Sequence, residues 1–97
     1  MPLDLKIRDR AISDLEKIAV YIAKRTRDSL VAEQFTRRLL DRCAKLIDAP
    51  KMGTPYLERP GLRKINEGAY KIFYQVTKTH VVILRIWDGR RGHDPKL

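Results

Sequence analysis

Residues 69–91 read AYKIFYQVTKTHVVILRIWDGRR, and this stretch decides the fold. Side chains of a strand alternate between two faces. From Tyr70, the positions Ile72, Tyr74 and Val76 share one face, and Lys71, Phe73, Gln75 and Thr77 take the other. In the second run Val82, Leu84 and Ile86 fall together, opposite Val81, Ile83, Arg85 and Trp87. Both runs are rich in β-branched and aromatic residues, which suit a pleated, half-buried surface. They predict a hairpin. Its connection, Lys78-Thr79, lacks the Gly or Asn of a primed two-residue turn, so the turn type stays open. The second run stops at Asp88-Gly89-Arg90-Arg91, where two guanidinium groups stand side by side.

Upstream of the hairpin the period changes. Residues 3–7 (LDLKI) alternate and predict a short first strand. Ala11, Ile12, Leu15, Ile18, Ala19 and Ile22 then recur at three- and four-residue spacing, the apolar stripe of an amphipathic helix. Asp9 is placed to cap it. Ser13 and Glu16 have capping-box spacing, which either starts the helix a turn later or carries no meaning. Arg25, Thr26 and Arg27 close it with charge suited to a helix C-terminus.

Asp28 or Ser29 caps a second helix with the stripe Val31, Ala32, Phe35, Leu39, Cys43 and Leu46, ended by Pro50. The short connection makes the two helices an antiparallel hairpin. Arg37, Arg38 and Arg42 fall on its solvated flank. Residues 50–61 hold Pro50, Gly53, Pro55, Pro60 and Gly61 and read as a loop with little regular structure. Residues 62–65 (LRKI) give a short strand before an Asn66-Glu67-Gly68 turn, and residues 92–97 read as a frayed polar tail.

The order is strand, helix, helix, three strands. It predicts a single α+β domain over residues 1–97: a helical hairpin packed on one face of a small, mostly antiparallel sheet, in two layers. The face carrying Lys71, Phe73, Gln75, Arg85 and Trp87 is then left less covered, as a cationic and partly aromatic docking surface.

Composition narrows the function. The 97 residues carry a net charge of +9. Residues 1–49 contribute 11 Lys and Arg against 8 Asp and Glu, and residues 50–97 contribute 10 against 4. The excess lies around the sheet and tail, and favours nucleic acid, an acidic partner protein or a nucleoprotein machine. The start, MPLDLKIRDR, has no apolar signal region, and no apolar run is long enough to span a membrane. A cytoplasmic protein without membrane attachment is expected. The single Cys43 excludes an intramolecular disulfide and reads as an inert core thiol; no metal cluster and no cofactor are implied.

P-loop, GxSxG, CxxC and HExxH signatures are absent. His80 reads as a solvated turn residue. His93, in the tail, is able to act as an acid or base near neutral pH. Arg63, Lys64, Lys71, Arg85, Arg90 and Arg91 form a cluster of cations. Such a cluster can clamp a phosphate and stabilise a cleavage transition state, and it can equally bind carboxylates on a protein.

An ordered set of short motifs runs along nearly the whole chain: residues 15–22 (LEKIAVYI), Ala32-x-x-Phe35, Leu46-x-x-x-Pro50-x-x-Gly53, residues 70–76 (YKIFYQV) and residues 86–91 (IWDGRR). Together they resemble the RelE/ParE superfamily of type II toxins. The family divides by mechanism. RelE-like members are metal-independent ribonucleases that cut mRNA in the ribosome. ParE-like members inhibit DNA gyrase and are not themselves enzymes. For the ribonuclease branch the resemblance implies Lys64, Lys71, Arg91 and His93 as catalytic residues, with Lys71 where that branch has an arginine and with no C-terminal Tyr. Lysine lacks the planar two-point fork of arginine at a phosphate. The long helical hairpin places the chain closer to the ParE-like branch. A non-toxic binding relative is the third reading. The toxin readings imply a cognate antitoxin, acidic in part, covering the target- or antitoxin-binding residues Lys71, Phe73, Arg85, Trp87, Arg90 and Arg91.

Overall fold

A computed structural model describes residues 2–97. The elements are β1 (Asp4–Ile7), α1 (Asp9–Thr26), α2 (Ser29–Lys45), β2 (Thr54–Pro55), β3 (Leu62–Glu67), β4 (Tyr70–Val76) and β5 (His80–Asp88). The sheet has five strands in the order β1-β5-β4-β3-β2, with β1 parallel to β5 and the other pairs antiparallel. The helical hairpin and the α+β plan follow the expectation. The fifth strand does not: Thr54 and Pro55 of the loop pair with Lys64 and Arg63 on β3.

The helix ends show which local signals act. Asp9 lies inside the first turn of α1, and the N-cap is Arg8, which makes no side-chain cap bond. Ser13 and Glu16 are both interior, so their spacing is coincidental. Arg27 stops the helix in the left-handed region, at φ 56°. Asp28 caps α2 by accepting from the backbone N–H groups of Leu30 (2.9 Å) and Val31 (3.4 Å). The helix ends at Lys45, before Pro50, because residues 46–48 tighten into three-residue hydrogen bonds such as Leu46 N–H to Cys43 O. Ile12 and Val31 sit at the margins of their stripes and stay exposed, at 42% and 39%. Arg42 is half-buried beside Glu67 (3.7 Å), unlike the exposed Arg37 and Arg38.

The β4–β5 pair departs from strict alternation. Phe73 opposes Arg85, but Tyr74 opposes Ile83, so Leu84 bulges out of register. One inserted residue inverts the parity of everything beyond it. Val81 and Ile83 therefore join Ile86 on the helix-facing side, where they pack with Ile72, Tyr74, Leu39, Cys43 and Leu46. Tyr70 meets Phe35 of α2 edge-on at 5.4 Å. The β3–β4 turn is Gly68-Ala69, one step later than expected, with Gly68 at φ 58°.

Cys43 lies in this core, fully buried, and burial pushes its thiol up to about 12. We expect no reaction with a thiol-specific reagent at neutral pH until urea unfolds the chain. Rapid labelling of the folded protein would contradict the packing of α2.

The second face of the sheet is covered in part. Tyr56, from the loop, packs edge-on against Phe73 with ring centroids 4.9 Å apart, and Phe73 is fully buried. The tail is pinned, not frayed. Trp87 Nε1–H donates to His93 O (2.8 Å), Tyr56 donates to Asp94 Oδ2 (2.7 Å), and Pro95 is buried. A half-buried indole N–H needs an acceptor, and the tail backbone supplies it. Among the described residues, no helix is long and apolar enough to cross a membrane.

Candidate functional site

The C-terminal end of β5 and the middle of α1, from Asp14 to Tyr21, frame a cavity of about 450 Å³. Ile18 and Ile86 give it an apolar floor, and Tyr21, Tyr70 and Trp87 give aromatic walls. Lys17, Arg90 and Arg91 line the same opening. Each wall residue has a structural reason for its place. Tyr21 and Lys17 flank Ile18 on the exposed side of α1, Tyr70 opens β4, and Gly89 lets the chain turn tightly after β5. A Cβ on Gly89 would sit 2.8 Å from Ala69 O, so only glycine permits the Gly89 N–H bond to Ala69 O (2.7 Å) and with it the placement of Arg90 and Arg91.

The deep side of the cavity is an ion pair. Asp14 accepts from Arg85 Nε (2.8 Å) and Nη2 (3.0 Å), and from the backbone N–H of Ile86 (2.9 Å). The carboxylate of Asp14 raises the pKa of Arg85 further. Asp14 was not among the residues singled out from the sequence. Its signal was present: an acidic residue one position from Leu15 on an apolar stripe, where burial requires a partner.

The candidate cations are mostly engaged. Arg63 donates from Nε (3.1 Å) and Nη2 (2.7 Å) to Gly53 O, holding the loop. Arg90 grips Asp88 through Nε (2.9 Å) and Nη2 (2.8 Å), and this hydrogen-bonded pairing holds the Asp88 carboxyl below its ordinary range. Arg91 stacks over the Trp87 ring at 4.3 Å, and Arg85 lies 5.1 Å from the same ring. Lys71 meets Asp94 Oδ1 at 3.3 Å, and the Lys64 ammonium lies 5.3 Å over the Tyr56 ring. The His93 ring stands edge-on to Trp87 at 5.6 Å.

The residues named from the sequence thus form two neighbouring groups. Arg85, Arg91 and His93 surround the Trp87 indole, with Arg90 at the cavity rim. Lys64 and Lys71 gather around Tyr56 and Asp94, joined to the first group by the Lys71–Trp87 cross-strand pair. Phe73, expected at the surface, lies under Tyr56 and presents nothing to a partner. Tyr56 and Asp94 were not anticipated. An aromatic residue inside a Pro- and Gly-rich loop hints at docking, whereas nothing local marks Asp94. Among the described residues, no group of His, Cys, Asp or Glu side chains is arranged to hold a metal.

The sequence over residues 5–92 matches the family described as ParE toxin of type II toxin-antitoxin system, parDE. Among solved structures, the chromosomal ParDE toxin-antitoxin system of P. aeruginosa superposes with a TM-score of 0.77 at 20% identity, covering 89% of this chain and 95% of that one. A chain of the RelBE2 toxin-antitoxin complex of Mycobacterium tuberculosis gives 0.59 at 23% identity, covering 91% and 99%. An E. coli RelE mutant in the free state gives 0.64 at 20% identity, covering 93% and 86%. At these identities the structural likeness establishes the shared fold. The sequence matches none of the curated proteins.

Proposed function

We propose, because this chain belongs to the ParE toxin family of type II toxin-antitoxin systems, that it inhibits DNA gyrase by binding and is not itself an enzyme. It is the toxin component of a RelE/ParE-type module. The family match over residues 5–92 is the observation that carries the gyrase reading. The geometry favours a docking role over phosphate cleavage. Arg63, Arg85 and Arg90 are already bonded to carbonyls or carboxylates, so a phosphate clamp that used them would first have to break those bonds. A cognate antitoxin would neutralise the toxin, and such a target places the action in the cytoplasm.

The rim of the cavity is the proposed contact surface. Trp87, Arg90 and Arg91 combine an aromatic anchor with exposed charge, the composition of interface hot spots. The test is supercoiled plasmid with gyrase and the purified chain. Linear, protein-linked DNA should accumulate, and the antitoxin should suppress it. In parallel, the Arg90→Glu, Arg91→Glu double variant should slow antitoxin association roughly tenfold or more at low salt, with the gap closing at high salt. An inert folded chain at large molar excess would sink the gyrase reading. It would direct attention to cleavage of ribosome-bound mRNA, with Lys64, Lys71, Arg91 and His93 as the residues to replace.

A further inference from the structure

The C-terminal tail carries an internal ligand. Asp94 addresses two separate donors, one with each oxygen: Tyr56 Oη–H at Oδ2 (2.7 Å) and Lys71 Nζ at Oδ1 (3.3 Å). Lys64 adds a second positive charge nearby, its ammonium 5.3 Å over the Tyr56 ring. The Tyr56 hydrogen bond, and then Lys71 and Lys64, hold the Asp94 carboxyl below its ordinary range. The donors are pre-positioned independently of the tail. Tyr56 is packed on Phe73, and Lys64 and Lys71 project from β3 and β4, whose register pairs Lys64 with Phe73 and Asn66 with Lys71. This is a carboxylate receptor already filled by the chain's own carboxylate.

We propose that Lys64, Lys71 and the Tyr56 hydroxyl form a binding site for an acidic side chain of a partner protein, and that Asp94 is its resident competitor. The inference goes beyond the proposed function and holds whatever the toxin's target is. The class of ligand follows from the donors. The resident is a carboxylate, and the two cations are lysines, which act as point charges without the forked geometry that favours phosphate. The nearby guanidiniums of Arg85 and Arg91 are committed to Asp14 and to the face of Trp87. Displacement is feasible because the resident pair is accessible: the Lys71 and Asp94 side chains are 28% and 33% exposed, and exposed ion pairs hold weakly. What keeps Asp94 in place is tethering. Trp87 Nε1–H to His93 O and Arg85 Nη1–H to Lys96 O hold the tail on either side of it, so its local concentration is high. A partner's acidic segment would exchange with Asp94 and leave the sheet intact.

The test compares Asp94→Asn with Asp48→Asn. The second is a charge-matched control, since Asp48 is exposed in the turn after α2. Each protein is titrated with poly-L-glutamate at physiological salt, and separately with an oligouridylate. Asp94→Asn should bind poly-L-glutamate about tenfold more tightly than Asp48→Asn, as expected when a tethered competitor is removed. Adding Lys64→Gln and Lys71→Gln to Asp94→Asn should erase the gain while thermal unfolding shows the fold retained. Equal binding by the two Asn variants would overturn the proposal. So would a gain that survives loss of both lysines, or one as large for oligouridylate, which would make the site a phosphate site.

Discussion

Asp14→Ala should destabilise the chain by about 3–5 kcal/mol, the cost of stranding one member of a buried, hydrogen-bonded ion pair. The reason lies in how the sheet ends. β1 covers β5 only from His80 to Ile83, and beyond that point, among the described residues, the outer edge of β5 has no strand beside it. The Ile86 N–H would be an orphan donor in an apolar wall. Asp14 reaches across from α1 and accepts it at 2.9 Å, while its two oxygens take both faces of the Arg85 fork. Alanine removes the acceptor and leaves the Arg85 side chain, only 13% exposed, charged and unpaired. Asp14→Asn should cost less, because its carbonyl still accepts from Ile86. An Asp14→Ala, Arg85→Met double variant should recover part of the loss, since removing both charges avoids the stranded one. Urea unfolding measures all three. A cost under about 1 kcal/mol for Asp14→Ala would mean that α1 is not fastened to β5 through this carboxylate. The same pair lines the deep side of the candidate cavity, so the toxicity of Asp14→Ala is read against its urea unfolding. Arg90→Glu, at the exposed rim, should alter binding with little change in stability.

The helical stripes and the hairpin were legible because each is a local periodicity. Ile18, Leu39, Cys43 and Leu46 are buried where a 3.6-residue period puts them, and Asp28 caps α2 through its own side chain. The bulge at Leu84 was not legible. It is a property of the pairing between two strands, and an uninterrupted run of valine, isoleucine and leucine fits either parity. Without the bulge, Val81 and Ile83 would fall on the wrong side of the sheet. The pairing of Thr54 and Pro55 with β3 was hidden for a different reason: two residues in a Pro-rich loop carry no period at all. The cations were identifiable as residues but not as interactions. Arg63, Lys71, Arg85 and Arg90 read as one cluster in the sequence, yet each is answered by its own acceptor, distant in the chain or, for Arg90, on the preceding Asp88. The family resemblance rested on the order of motifs, which survives such local errors.

Phe73→Ala should cost about 3–5 kcal/mol, the range for emptying a fully buried aromatic site. This result separates two pictures of the second sheet face. Strict alternation puts Phe73 beside Lys71 and Gln75 on an open docking surface, where truncation would change stability by no more than about 0.5 kcal/mol. The structure has Phe73 fully buried, between Lys64 and Arg85 in register and beneath the ring of Tyr56 at 4.9 Å. Tyr56→Ala provides the complementary reading. It should cost less than Phe73→Ala, because Tyr56 is the lid and not the floor, but it should expose Phe73 and release Asp94 from its hydroxyl donor. Binding of a hydrophobic dye would report the first effect, and loss of protection in the amides of the tail the second. The two substitutions share one contact, so their effects should fall short of additivity by about 0.5–1.5 kcal/mol, the worth of an edge-on aromatic pair. A small cost for Phe73→Ala would return this face to the solvent and make Phe73 available to a partner. A large one leaves recognition to the rim of Trp87, Arg90 and Arg91 and to the carboxylate site that Asp94 now fills.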